Sequence, residues 1–187
     1  MQAPLLLRVA VFVVGTAALV YVSRGALRHP RSHGFTRFFA WEGILALAMI
    51  NLPVWDVAPG ALHQLLSWAL LIASAALPVH AYRLLKTIGR PSAERGDEAL
   101  IGFEKTTTLV RSGAFRFIRH PMYAALLLLA WGVFVKQFTW LGLAIVLATS
   151  VLLYMTARRD EDECLAHFGD AYRNYMRGTK RFIPFVV

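Results

Sequence analysis

Acidic residues are scarce in this chain: 11 Asp+Glu stand against 20 Lys+Arg in 187 residues, and charged residues make up only 17%. A soluble domain carries roughly a quarter. The single cysteine, Cys164, excludes an internal disulfide framework and any multi-cysteine zinc or iron–sulfur site. None of the 13 glycines forms a G-x-G, so the glycine-rich cofactor loop of a soluble Rossmann-type domain is missing. No charged n-region precedes the first apolar run, which itself contains Arg8, so it reads as a retained helix and not as a cleaved signal.

What the chain has in excess is apolar surface. Apolar residues reach 57%, above the roughly 45–50% of soluble domains, which excludes disorder and points to a membrane protein. Apolar runs cover about 4–22, 38–57, 62–85 and 121–157, and a bilayer-spanning helix needs about 20 such residues. The last run is too long for one crossing and is interrupted by Lys136-Gln137, so it reads as a helical hairpin. Its first arm, 121–135, rises only about 22 Å against a hydrocarbon core of about 30 Å.

The cations agree with this division. All but Arg8 and Lys136 fall in three segments: 23–37, including Arg37; 83–120, including Arg95; and the tail from Arg158 onward. Five crossings put all three on one side, which the positive-inside tendency makes the cytoplasm, with the N-terminus outside. The expected architecture is all-α and polytopic: about five transmembrane helices, a C-terminal helical hairpin and a cytoplasmic amphipathic tail helix. Residues 1–187 form a single domain in this reading. The +9 balance lies beside apolar spans, so anionic lipid head groups are the expected neighbours and nucleic acid is not.

Two stretches are polar. Residues 86–118, with the turn signal Gly89-Arg90-Pro91-Ser92, read as a cytoplasmic loop with some short extended structure. Residues 158–178 read as one polar helix with a stripe of Leu165, Phe168, Tyr172 and Tyr175.

The chemistry is expected at the two ends of the hairpin. Arg119-His120-Pro121-Met122-Tyr123 stands where the loop enters an apolar helix, with Pro121 suited to a first helical turn. It reads equally as a plain helix start or as an anion-binding and stacking corner. Asp160-Glu161-Asp162-Glu163 reads either as the favourable acidic first turn of the polar helix or as a ligand-binding carboxylate group. Folding the hairpin brings both sets into one pocket. A ligand with an ammonium, a sulfonium, a carboxylate and ribose hydroxyls needs that mixture of partners, and S-adenosylmethionine is such a ligand.

The run from Leu109 to Tyr123, L-V-R-S-G-A-F-R-F-I-R-H-P-M-Y, resembles the signature of the integral-membrane methyltransferases. That superfamily includes isoprenylcysteine carboxyl methyltransferases and phospholipid N-methyltransferases. The acidic pair Asp160-Glu161, then Phe168-Gly169, Tyr172, Tyr175 and Arg181-Phe182-Ile183-Pro184, resembles its E-E…F-G-x-x-Y-x-x-Y…P ending, with an aspartate where two glutamates are usual. The resemblance covers about residues 85–187. It implies methyl transfer from S-adenosylmethionine to a lipophilic acceptor, in a bacterial inner membrane. It also implies that Arg119, His120, Pro121, Tyr123, Asp160 and Glu161 bind the cofactor. An amine or thiol acceptor would need a base, for which His120 and Glu161 are the candidates; a carboxylate would not.

Other residues carry weaker readings. Glu42 is expected to snorkel to the cytoplasmic interface and Asn51 to bond between helices. His63 and His80 stand about 26 Å apart along a helix and cannot face one haem iron. His29 and His33 are given no metal, and Cys164 is a packing residue. A haem- or quinone-binding subunit and a noncatalytic assembly or transport protein are the competing classes.

Overall fold

The computed structural model describes residues 4–92, 94 and 100–184, so Arg95 lies outside the described residues. The helices are α1 (Leu5–Leu27), α2 (His33–Asn51), α3 (Leu62–Thr87), α4 (Pro121–Val135), α5 (Trp140–Phe168) and α6 (Asp170–Gly178). Among the described residues there is no strand, only the isolated bridges Pro91 with Thr106 and Ile118 with Lys180. Among the described residues four helices are long and apolar enough to cross a membrane: Leu5–Leu27, His33–Val54, Leu62–Thr87 and Trp140–Phe168. Pro121–Val135 is apolar but shorter.

α1 packs on α2, α2 packs on both α5 and α4, and α3 packs on α4. The core lies where α2, α4 and α5 meet, built from Ile44, Leu47, Ala130, Val133, Phe134 and Val146. α1 contributes little to it, burying only Ser23 and Ala26. The short α4 is surrounded by longer helices, and its end is recessed. Lys136, just past that end, is 1% exposed; its Nζ donates to Gln64 Oε1 at 2.9 Å and stands 3.9 Å from the Trp68 ring centroid. An ammonium at that depth needs such partners.

Several expectations are corrected by packing. α2 starts at His33, five residues before the apolar run, because Ser32 caps it by accepting from the Phe35 N–H at 3.3 Å. That start puts Glu42 in mid-helix. It accepts from Thr16 Oγ1 of α1 at 2.8 Å and does not snorkel. Asn51 bonds within its own helix, to the Leu47 carbonyl at 2.9 Å. Residues 158–178 are not one helix: α5 runs unbroken from its apolar half through the acidic residues to Phe168, so Asp160 to Glu163 are not a first turn. Gly169, at φ 56° and ψ −132°, makes the break before α6, a conformation open to glycine and few others.

Candidate functional site

Pro121 opens α4, and the backbone of the preceding residues 117–120 is paired with the chain's tail. The Arg119 N–H donates to the Lys180 carbonyl at 2.7 Å, the His120 N–H to that of Arg181 at 3.2 Å, and the Lys180 N–H to that of Phe117 at 3.1 Å. α6 anchors this tail through its buried stripe: the Tyr175 hydroxyl donates to the Phe115 carbonyl at 2.5 Å. The polar tail therefore does structural work at the entrance to α4.

α5 runs past this corner and presents consecutive carboxylates in different directions. Glu161, 4% exposed, meets three cationic side chains. Arg119 Nε donates to Oε1 at 2.9 Å, Arg181 donates from Nε at 3.1 Å and from Nη2 to Oε2 at 2.7 Å, and His120 Nε2 lies 3.3 Å from Oε1. Arg119 Nη1 is occupied by the carbonyls of Met176 and Thr179. Asp160 is the other half: its Oδ2 lies 3.4 Å from His120 Nδ1, and Cys164 Sγ donates to its Oδ1 at 3.6 Å. The Tyr123 ring stacks on His120 at 5.4 Å between centroids and 20° between planes.

Both ring nitrogens of His120 thus face carboxylates. Burial alone would lower its pKa, but the bonds to Asp160 and Glu161 outweigh it and raise it above the ordinary histidine value. The charged ring donates from both nitrogens.

A second cluster, absent from the sequence reading, lies beside the first. His33, at the start of α2, gives its backbone N–H to Glu163 Oε1 at 2.8 Å, and its Nδ1 lies 2.7 Å from Oε2. Its Nε2 lies 3.4 Å from Arg37 Nη1. Arg37 was expected to be one of the topology-setting cations of the loop 23–37. Instead it is 2% exposed and donates from Nη1 to Glu104 Oε1. Glu104 sits in the 3-10 turn Gly102–Glu104, and its Oε2 accepts from the Ile101 N–H at 2.9 Å. Burial would raise this carboxyl, but Arg37 and His33 hold it below the usual range. The spacing of His33 and Arg37, four apart after a serine cap, was the available signal; Glu104 had none.

The two clusters line one cavity of about 300 Å³. Arg37, Glu104, His120, Tyr123, Asp160 and Glu163 are on its wall, while Glu161 is not. The cavity continues as an apolar channel past Ser74, Pro78, Leu126 and Leu129, between α3 and α4. Pro78, inside α3, has no N–H to offer the Ser74 carbonyl one turn back. Cys164, beside Asp160, lines the cavity too. The remaining histidines stand apart: His80 accepts from the Ala114 N–H at 3.3 Å, and His29 bonds the Gly25 carbonyl. Among the described residues no group of three or more His, Cys, Asp or Glu is placed to hold a metal ion.

Comparison with known proteins agrees with these motifs. The phospholipid methyltransferase family matches residues 62–171, more than half of the chain. Methanethiol S-methyltransferase from Pseudomonas deceptionensis is 25% identical over 153 residues, which cover 79% of this chain and 53% of that protein. The chain spans about half the length of that curated relative. It is thus an integral-membrane protein whose Arg119-His120-Pro121 corner and α5 acids lie within the matched region, and it belongs to the phospholipid methyltransferase family.

Proposed function

We propose that this protein transfers a methyl group from S-adenosylmethionine to a lipophilic acceptor at the cytoplasmic side of the membrane. The observation that carries the reading is the meeting of the hairpin's two ends: His120 lies within 3.4 Å of both Asp160 and Glu161, at the mouth of a cavity that turns apolar between α3 and α4. One end suits a polar nucleoside and the other a lipid-soluble acceptor. In this reading the five helices α1 to α5 all cross, with the N-terminus outside, which puts the site and the cation-rich segments on the cytoplasmic side.

The residues present fit the cofactor's chemistry. Asp160 and Glu163 are carboxylates on the cavity wall for an ammonium and hydroxyls, and Phe115 and Tyr172 offer aromatic faces for a base. When bound, S-adenosylmethionine supplies an electrophilic methyl on a sulfonium. The chain's part is to orient and to exclude water. Asp160 and Tyr123 form the contact surface, and His120 Nδ1, 3.4 Å from Oδ2, keeps Asp160 aimed. Glu161, through Arg119 and Arg181, locks His120 against the tail as a positioning residue. Holding the reacting atoms about 3–3.5 Å apart in a water-poor cavity supplies most of the rate.

The family name, the relative's name and the motif resemblance bring three acceptor classes: a phospholipid amine, a small thiol and a prenylcysteine carboxylate. Purified protein in nanodiscs, given S-adenosylmethionine with a labelled methyl group, should label at least one of a phosphatidylethanolamine, an alkanethiol or a prenylcysteine analogue. Absence of transfer to all three, from protein that is folded, contradicts the proposal.

A further inference from the structure

Arg37 is the one cavity-wall cation whose donors remain largely unused among the described residues. Its Nη1 is taken by Glu104, but Nε and Nη2 are buried and meet no partner among the described residues. Leaving such donors unpaired in a dry site is costly, and native structures rarely do so without a reason. The guanidinium lies over the Trp41 ring, with Cζ 4.8 Å from the centroid.

α2 and α5 pack with His33 against Glu163 and Thr36 Oγ1 against Thr156 Oγ1 at 3.0 Å. Arg37 follows Thr36, so its backbone stands near the level of Thr156, one helical turn, about 6 Å, along α5 from Asp160, while its Nη1 reaches back to within 3.4 Å of His33 Nε2. Trp41, in contact with the guanidinium, lines the same cavity as the channel residues Leu126 and Leu129.

Resting on the methyl-transfer reading above, we infer that Arg37 forms an anion-binding acceptor subsite: the acceptor presents a negatively charged group to Nε and Nη2 while its apolar body follows the channel between α3 and α4. An ammonium acceptor would meet a like charge in a low-dielectric cavity, which is unfavourable. The anion is either the nucleophile itself, a thiolate or carboxylate, or a phosphate beside it.

The probe is octanoate, titrated calorimetrically into detergent-solubilised full-length protein saturated with S-adenosylhomocysteine. The wild type should bind octanoate at least tenfold more tightly than octylamine; equal or reversed preference overturns the inference without any variant. Arg37→Gln combined with Glu104→Gln, which avoids stranding a buried carboxylate, should weaken octanoate at least tenfold. S-adenosylhomocysteine affinity should stay within threefold, and Arg37→Lys should recover part of the loss. Octanoate affinity within threefold of wild type overturns the subsite, and a tenfold loss of S-adenosylhomocysteine affinity assigns Arg37 to the cofactor instead. Wild-type protein that binds no S-adenosylhomocysteine at all overturns the methyl-transfer reading, and this one with it. Methyl transfer to octanethiol and not to dioctanoylphosphatidylethanolamine identifies the anion as the nucleophile; the reverse identifies it as the lipid phosphate.

Discussion

Asp160 and Glu161 are neighbours on α5, and the roughly 100° between successive helical residues sends them to different tasks. Asp160 faces the cavity beside His120 Nδ1, whereas Glu161 faces Arg119, Arg181 and His120 Nε2 outside it. Substitutions at the two should therefore fail differently. Glu161→Gln leaves three cationic groups without their carboxylate and should cost about 3 kcal/mol of stability. Asp160→Asn should cost about 1 kcal/mol. Thermal unfolding in detergent checks this, and equal losses would contradict the division.

The pH dependence of stability follows from His120 and Glu104. His120 is raised in the fold, so the stability its charged form contributes is fully present below about pH 6.5 and is lost as pH rises through the folded value. Glu104 is lowered, so its contribution is present above about pH 4.5 and is lost as pH falls through the folded value. Unfolding temperatures measured across pH should decline on both sides. His120→Gln should flatten the alkaline decline, and an unchanged alkaline limb in that variant would contradict the assignment.

Gly169 holds a positive φ of 56° between α5 and α6. Nothing crowds a Cβ at this position, so Gly169→Ala tests backbone strain alone. It should cost about 1–3 kcal/mol and loosen α6, with its Tyr175 anchor on Phe115. Faster proteolysis of the tail after Tyr172 is the expected sign, and an unaltered cleavage rate and melting temperature would contradict it.

Lys136 and Gln64 predict an asymmetry. Lys136→Met removes the charge and keeps the packing against Trp55 and Trp68, so it should be close to neutral. Gln64→Leu strands the buried ammonium and should cost about 2 kcal/mol. Melting temperatures of the two variants give the comparison; the opposite order would contradict this account of the recessed α4 end.

What could be read in the chain follows from how local each signal is. Pro121 and Lys136 mark the ends of α4 by backbone chemistry and charge, and α4 runs from Pro121 to Val135. The long apolar runs appear as helices for the same reason. His33, Arg37 and Glu104 were not seen as one cluster because packing of α2 on α5 and a distant 3-10 turn bring them together. Packing of α1 on α2 turns Glu42 toward Thr16 and not toward the interface. Gly169 was visible within the F-G pair, yet a helical stripe runs through it, since periodicity is blind to a one-residue break that keeps Tyr172 and Tyr175 inward. The split of Asp160 from Glu161 needed the tail's position, because Arg181 reaches Glu161 only through the Ile118 to Lys180 bridge.

The central claim is that the Asp160 side of this cavity binds the nucleoside of S-adenosylmethionine. Calorimetric titration of S-adenosylhomocysteine into wild-type protein and into folded Asp160→Asn protein tests it most directly. Binding by the wild type, weakened in the variant by about 1.5–3 kcal/mol, the worth of a charged hydrogen bond, is the predicted result. Indistinguishable affinities, or no binding by the wild type, would contradict it.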